Sequence, residues 1–279
     1  MSNIPKIKFK NNQSVDQLGL GTWKMTGDTC VEAVKTALDL GYRHIDTALA
    51  YENHPQISKA LSESGLQRED IFLTSKIWMK EGEVDALYES YKENISDLNT
   101  DYLDLILIHW PDRTVKNWEN VFLALKRMQD EGLVKSIGVS NFTINHLKDA
   151  FEITEKYDIE IVNNQVEYHP GLNQEELRNF CTDNNIVITA YSPLARGKVF
   201  DEPTLKRIAE KQNKSVAQIS LAWLAKKDMI VIPKASSKEH IKTNLDIFDI
   251  NLSPEEIKEI DDLGNDDRLV IPPFADFDY

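Results

Sequence analysis

Four side chains that could together protonate an oxygen lie at the ends of short apolar runs or just beyond one. Asp46 ends "YRHID", Lys76 ends "IFLTSK", His109 ends "LDLILIH", and Tyr51 follows Asp46 in "ALAYENH". A phenol has a pKa near ~10, and a neighbouring ammonium favours phenolate and lowers that pKa. A carboxylate balances the buried ammonium, and an imidazole can donate a hydrogen bond to a substrate oxygen. This group suits carbonyl reduction, with the hydride coming from a cofactor because no side chain donates one.

Eight apolar runs alternate with amphipathic helical stretches, which is typical of buried parallel strands joined by crossover helices. Eight such units predict a single α/β domain over residues 1–279, a (β/α)8 TIM barrel whose strands all open their C-terminal ends on one face. The four candidate residues would meet on that face. The runs are 18–23, 42–46, 71–76, 103–109, 136–141, 161–166, 187–191 and 229–234.

Four pieces lie outside the eight units. "KIKFKNNQSVDQL" predicts an N-terminal β-hairpin with "NNQS" as its turn, which could close the bottom of the barrel. Residues 203–213 and 253–264 predict two extra helices, the second with a capping box of Ser253 and Glu256. The tail "LVIPPFADFDY" predicts irregular structure.

The net charge, the lengths of the apolar runs and the cysteine count favour a cytoplasmic protein that acts on small molecules. The chain has 279 residues, a net charge of −14 and a pI of about 4.9. An acidic surface repels nucleic acids and anionic lipids, and no apolar run approaches the ~18 residues of a membrane span. Cys30 and Cys181 predict two buried thiols in a reducing compartment. We expect a monomer, with a homodimer as the alternative, and no bound metal.

Two short motifs bear on cofactor binding. "GLGTWK" lacks the third glycine of a dinucleotide-binding fingerprint, so its glycine pair predicts close approach of another backbone. "KASSKEH" opens a helix after the last run and offers Lys234, Ser236 and Ser237 to a phosphate. An ordinary capped helix is the alternative for this second motif.

Ordered motifs along the chain resemble those of the aldo-keto reductase family. "GYRHIDTALAYEN", "LTSKIW" and "LDLILIHWP" match the segments that supply the catalytic residues of that family. "GLVKSIGVSNF", "NNQVEYHP", "AYSPLARG" and "IPKASSKEHIKTN" match its cofactor segments in order. The resemblance runs from "LGLGTW" to the tail.

The resemblance implies an NAD(P)H-dependent reductase of aldehydes or ketones and assigns a role to each matched residue. The implied catalytic residues are Asp46, Tyr51, Lys76 and His109, with Tyr51 as general acid. Ser140, Asn141 and Gln165 would hold the nicotinamide carboxamide, Tyr191 would stack on the ring, and Thr22 and Asp46 would lie near its ribose. Ser192 and Leu194 would follow the pyrophosphate, with Lys234, Ser236 and Ser237 on the adenosine 2′-phosphate and Asn244 on the adenine. The implied substrate-pocket residues are Trp23, Trp78 and Trp110.

Two positions depart from the family pattern. Glu52 follows Tyr51 where the family often has glycine, and His240 stands where many NADPH-preferring members have arginine. Arginine stays charged and grips phosphate with a fork of donors, whereas histidine is mostly neutral at pH 7. We therefore expect NADPH as cofactor, held in part by His240, with NADH as a weaker alternative.

Two other functions stay open at this stage. The same fold could serve as a cofactor-binding, redox-sensing regulatory subunit. Asp46 and Glu167 could instead be the paired carboxylates of a hydrolase, although no ligand-spaced cluster accompanies them. The residues do not specify which carbonyl compound would be the substrate, because selectivity depends on loops and on the tail.

Overall fold

The computed structural model describes residues 4–264 and 266–279, and these form a (β/α)8 barrel. Its eight parallel strands pair in chain order, each with the next. Leu18 pairs with Val231, and the N–H of Gly19 donates to the carbonyl of Val231 at 2.9 Å, so the first and last strands also join. The barrel strands are β3 (Leu20–Gly21), β4 (His44–Asp46), β5 (Phe72–Ile77), β6 (Leu105–Ile108), β7 (Ile137–Ser140), β8 (Ile161–Glu167), β9 (Val187–Tyr191) and β10 (Ile230–Val231).

Helices cover the outside of the barrel, and their apolar faces pack on strands that are buried on both sides. Each of the eight predicted runs overlaps one barrel strand, and β5 and β8 extend one residue beyond their runs. Within the described residues the α-helices are α1 (Gly27–Asp39), α2 (His54–Glu63), α3 (Val84–Asp97), α4 (Trp118–Asp130), α5 (Ile144–Thr154), α6 (Glu175–Asp183), α7 (Pro203–Gln212), α8 (Val216–Lys226), α9 (Lys238–Thr243) and α10 (Pro254–Asp261).

The predicted hairpin closes the N-terminal end of the barrel. Strands β1 (Lys6–Lys8) and β2 (Ser14–Asp16) pair antiparallel. Phe9 is buried with its ring centre 6.1 Å from that of Phe72, the first residue of β5. Asn11 donates to the Ser136 hydroxyl at 2.9 Å, just before β7. The turn occupies residues 9–13 rather than "NNQS", because Ser14 already pairs in β2.

Both predicted extra helices are present, as α7 and α10. Ser253 accepts from the N–H of Glu256, and the Glu256 carboxylate accepts from the N–H of Ser253 at 2.9 Å, which is the predicted capping box. The tail forms neither helix nor strand. These pieces surround the barrel without changing the order of its strands.

The glycine pair of "GLGTWK" serves close packing: Gly21 approaches another backbone, as predicted, whereas Gly19 approaches a side chain. A Cβ on Gly21 would lie 2.6 Å from the carbonyl oxygen of Ile232, and one on Gly19 would lie 2.5 Å from the His44 ring. Real Cβ atoms do not approach other atoms this closely. The two glycines therefore allow β3 to pack tightly against its neighbours.

Candidate active site

A cavity of about 520 Å³ opens at the C-terminal ends of the barrel strands. This is the face on which barrel enzymes place their catalytic residues. Most of the residues singled out from the sequence line this cavity. The ones that do so are Thr22, Trp23, Asp46, Tyr51, Trp78, His109, Trp110, Ser140, Asn141, Gln165, Tyr191, Ser192, Leu194 and Lys234.

Asp46, Lys76 and Tyr51 form one connected group at the base of the cavity. The Nζ atom of Lys76 donates to Oδ1 of Asp46 at 2.6 Å, to the carbonyl of Thr47 at 2.8 Å and to the hydroxyl of Tyr51 at 3.3 Å. Lys76 and Asp46 are 1% and 2% exposed. All three ammonium protons thus have acceptors, as a buried charge requires. Because the Tyr51 oxygen accepts from Lys76, the phenol keeps its own proton to donate.

Burial and neighbouring charges shift the pKa values of Tyr51 and Lys76 in opposite directions. Burial raises the pKa of the Tyr51 phenol, and the charge and hydrogen bond of Lys76 lower it in part. Burial alone would lower the pKa of Lys76, but Asp46 and Tyr51 more than offset this and raise it. Lys76 therefore acts on Tyr51 in the predicted direction, while the net pKa of Tyr51 stays above its ordinary value.

His109 faces Tyr51 and Trp78 across the cavity. Its ring centre lies 5.8 Å from that of Tyr51 and 5.0 Å from that of Trp78. Burial, together with the charge of Lys76, lowers its pKa to about 3. The imidazole is neutral at pH 7, so one ring nitrogen can donate a hydrogen bond to a substrate oxygen.

Amide and hydroxyl groups at the ends of β7, β8 and β9 form a second network. The Ser140 hydroxyl donates to the carbonyl of Gln165 at 2.8 Å, and the Tyr191 hydroxyl donates to Oδ1 of Asn141 at 2.7 Å. Nε2 of Gln165 donates to Oδ2 of Asp46 at 2.7 Å. This last bond joins the network to the Asp46–Lys76–Tyr51 group, so both oxygens of Asp46 have donors.

The remaining predicted cofactor residues divide into two sets. Lys234 lines the cavity and is exposed, and Ser192 and Leu194 follow β9 along the same wall. Ser236, Ser237 and His240 are exposed and lie outside the cavity lining. The hydroxyl of Ser237 caps α9 by accepting from the N–H of His240 at 3.2 Å. Asn244, also outside the lining, is 5% exposed.

The cavity wall also contains residues that the sequence did not single out. The tail contributes Val270, Pro272 and Phe274, and the segment after β9 contributes Arg196 and Phe200. Only the aromatic and proline content of the tail could have indicated its part of this wall. No sequence pattern distinguished Arg196, whose guanidinium lies 4.9 Å from the centre of the Trp23 ring.

Glu167, the predicted partner of Asp46 in a hydrolase, does not line the cavity that Asp46 lines. Its carboxylate accepts from the backbone N–H groups of Leu269 and Val270.

Among the described residues there is no cluster of three His, Cys, Asp or Glu side chains that could hold a metal ion. Cys30 and Cys181 are buried free thiols, and no described helix is long and apolar enough to cross a membrane.

Comparison with known proteins decides the family. The model of the Aldo/keto reductase family matches residues 17–265. The chain belongs to the aldo/keto reductase family. This aldo/keto reductase is 39% identical over 264 residues to glyoxal reductase of Bacillus subtilis (strain 168), covering 94% of each chain. It is 36% identical over 273 residues to Methylglyoxal reductase DkgA of Escherichia coli (strain K12), covering 96% of this chain and 97% of that one.

A solved structure with a bound nucleotide shares the fold of this aldo/keto reductase. The Bombyx mori aldo-keto reductase in complex with NADP has a TM-score of 0.89 and 30% sequence identity, covering 99% of this chain and 100% of that one. Likeness over whole chains identifies an oxidoreductase of this family. The resemblance read from the ordered motifs is thereby confirmed.

Proposed function

We propose that this aldo/keto reductase reduces aldehydes or ketones to alcohols with NADPH, and that Tyr51 is the general acid. The observation that carries the proposal is the Asp46–Lys76–Tyr51 group beside a neutral His109 at the base of one cavity. The named reductases among its relatives and the NADP complex of a structural neighbour support it. When bound, the nicotinamide supplies the hydride.

The cavity lining fits such a cofactor. The half-buried Tyr191 ring offers a flat face, and Ser140, Asn141 and Gln165 offer the donors and acceptors that a carboxamide needs. Lys234 offers an exposed cation to the 2′-phosphate that distinguishes NADPH from NADH. Ser236, Ser237 and His240 extend that polar surface, and Asn244 and Thr22 complete the predicted contacts.

The protein side of the reaction follows from the hydrogen bonds. His109 orients the substrate carbonyl by donating to its oxygen, opposite the phenol of Tyr51. Tyr51 gives its proton to that oxygen as the alkoxide develops, and the Lys76 ammonium stabilises the phenolate that remains. Asp46 holds Lys76 in place, so the positive charge stays 3.3 Å from the phenol oxygen. Trp23, Trp78 and Trp110 exclude water on the outer side.

The test is turnover with a panel of carbonyl compounds. Purified protein should oxidise NADPH in the presence of aldehydes, α-dicarbonyls or keto-sugars, and oxidise NADH more slowly. A redox-sensing regulatory subunit would bind NADPH and show no turnover with any member of the panel. That result would overturn the proposed activity and favour the regulatory alternative.

A further inference from the structure

A buried carboxylate outside the candidate catalytic group holds the tail. Glu167, the last residue of β8, is 0% exposed. Its carboxylate accepts from the N–H of Leu269 at 3.1 Å and from the N–H of Val270 at 2.9 Å. Nε2 of His169 lies 3.3 Å from the same group. Hydrogen bonds to a charged acceptor are roughly twice as strong as neutral ones, so these bonds hold the start of the tail against β8. We call them the inner anchor.

The same segment has an outer anchor at its far end. We call residues 266–279 the strap. The Thr143 hydroxyl donates to the backbone oxygen of Tyr279 at 2.7 Å, and the Tyr279 hydroxyl donates to Asp149 at 2.8 Å. Arg113 pairs with Asp276 at 3.0 Å and lies 3.7 Å from the centre of the Tyr279 ring. The strap is therefore attached to the barrel at both ends.

The middle of the strap is part of the cavity wall. Val270, Pro272 and Phe274 line the cavity. The Phe274 ring meets Trp78 and Trp110 edge to face, with ring centres 5.7 and 5.6 Å apart. Helix or strand hydrogen bonds do not fix this part of the chain. Its position depends on these aromatic contacts, on the two anchors and on adjoining bonds such as that from the Arg268 guanidinium to Gln174 at 3.0 Å.

We infer that Glu167 is a positioning residue for the substrate: through Leu269 and Val270 it holds the strap so that Val270, Pro272 and Phe274 form the wall for the apolar part of a carbonyl compound. This inference rests on the proposed reductase activity and adds to it a residue that selects among substrates. Glu167 acts through the strap and touches no reacting group.

Loosening the strap should affect substrate binding and not the catalytic step, because the candidate catalytic residues lie apart from the strap. Asp46, Lys76 and His109 stand on or beside β4, β5 and β6, and none of them contacts the strap through a hydrogen bond among the described residues. A loosened strap leaves the proposed proton donor and its partners in place. It removes the wall that an apolar group would meet, so the expected loss falls on KM for apolar substrates and not on kcat.

The experiment compares glyoxal with phenylglyoxal, which share the reacting dicarbonyl and differ by an aromatic ring. Glu167→Gln keeps the size of the side chain, removes its negative charge and leaves one accepting oxygen for the N–H groups of Leu269 and Val270. The variant should raise KM for phenylglyoxal by about tenfold, equivalent to about 1.4 kcal/mol. KM for glyoxal, kcat for both and Kd for NADPH should stay within about twofold. Hydrogen exchange of the peptide containing Leu269 and Val270 should become faster.

Lys198→Ala is the matched control, because it removes an exposed ion pair of 2.8 Å to Asp267 on the same strap. It should leave all of these quantities unchanged. Equal KM increases for both substrates in Glu167→Gln, or faster exchange with no change in KM, would overturn the inference. If Glu167→Gln does not fold, Phe274→Ala decides, and an unchanged KM for phenylglyoxal contradicts the inference. A wild-type protein that reduces neither compound contradicts the proposed activity on them instead.

Discussion

At the scale of single residues, the proposed proton donor depends on a charge that has no contact with water. Lys76 is as buried as the apolar core, and it is stable there because Asp46, Thr47 and Tyr51 accept all three of its protons. Removing one partner of a buried ion pair leaves an uncompensated charge and costs several kcal/mol. The bond to Asp46 therefore holds the ammonium 3.3 Å from the phenol oxygen.

Tyr51→Phe should abolish most carbonyl reduction while leaving cofactor binding intact. The change removes only the hydroxyl that we propose donates the proton, and the lost proton transfer should lower kcat by roughly 10²–10⁴-fold. Steady-state kinetics and tryptophan fluorescence titration with NADPH would measure the two effects. A correctly folded variant with near-normal turnover would remove Tyr51 from the role of acid.

The backbone at Glu52 accommodates a glutamate where the family often has glycine. Its φ of 55° lies in the left-handed region, where glycine is favoured and other residues are strained. The family often has glycine at this position, and the backbone has the conformation that glycine favours with a glutamate in its place. The departure therefore does not prevent the turn that presents Tyr51.

At the scale of elements, the residues that follow β10 and begin α9 are the proposed basis of cofactor choice. Lys234 follows β10 and lines the cavity, while His240 lies exposed in the first turn of α9. Lys234→Ala should erase most of the proposed preference for NADPH over NADH, because it removes the cation that we propose faces the 2′-phosphate. His240→Arg should tighten NADPH by about 1–3 kcal/mol with little effect on NADH, since arginine adds a permanent charge and a fork of donors.

Dissociation constants for both cofactors in wild type and the two variants would measure this preference. Equal affinity for the two cofactors in wild type, unchanged in Lys234→Ala, would mean that no 2′-phosphate site lies here. If His240→Arg bound NADH and NADPH more tightly by the same factor, the arginine would contact a part of the cofactor other than the 2′-phosphate.

Strand β7 passes close to both neighbours at a glycine. A Cβ on Gly138 would lie 2.7 Å from a methyl group of Leu107 and 2.8 Å from the carbonyl oxygen of Asn163. Gly138→Ala should therefore lower the free energy of unfolding by about 1–3 kcal/mol through overpacking. Gly171→Ala is the control, since its nearest neighbours would be 3.5 Å away. Equal denaturation midpoints for the two variants would contradict this interpretation of β7.

At the scale of the whole molecule, buried histidines link stability to pH. His54 is 2% exposed beside the Ser75 hydroxyl, and burial, with a smaller effect from Lys76, lowers its pKa to about 4. The unfolded chain takes up a proton near pH ~6.5 and the folded protein does not, so stability falls as pH drops from ~6.5 towards 4. His54 alone contributes a slope of up to about 1.4 kcal/mol per pH unit.

Chemical unfolding at pH 7.5, 6, 5 and 4.5 would measure this slope. His54→Gln keeps a polar group near Ser75 and removes the titration, so its free energy of unfolding should fall less steeply over the same interval. Identical slopes for wild type and His54→Gln would show that this histidine does not control the acid response.

The charge of the whole molecule also shapes the site. The net charge is −14, yet the cavity mouth carries Arg196 and Lys234, and Lys24 lies 4.5 Å from the centre of the Trp23 ring. A basic patch on an acidic protein attracts an anionic cofactor locally while the rest of the surface repels it. The patch is assembled from loops after β3, β9 and β10, which are distant in sequence.

The sequence by itself determined the barrel and the positions of the candidate catalytic residues. Buried parallel strands give mostly apolar runs, and the polar residue that ends such a run lies near the opening of the barrel. The apolar pattern alone therefore places Asp46, Lys76 and His109 on one face. Tyr51 was found from its place shortly after Asp46, and the family motifs added the residues expected to hold the cofactor. The presence of the hairpin and of both extra helices was also predicted correctly, because strand alternation and capping residues act locally, whereas the bounds of the hairpin turn were wrong.

Only the tertiary structure decided what joins distant parts of the chain. The sequence offered Glu167 as a possible second carboxylate beside Asp46, but its carboxylate oxygens accept from Leu269 and Val270. Nothing local marks a backbone N–H as the partner of a carboxylate that lies 103 residues away. Arg196 and Phe274 likewise became part of the cavity wall only through folding. Contacts of this kind depend on the path of irregular segments, which hydrophobic periodicity does not encode.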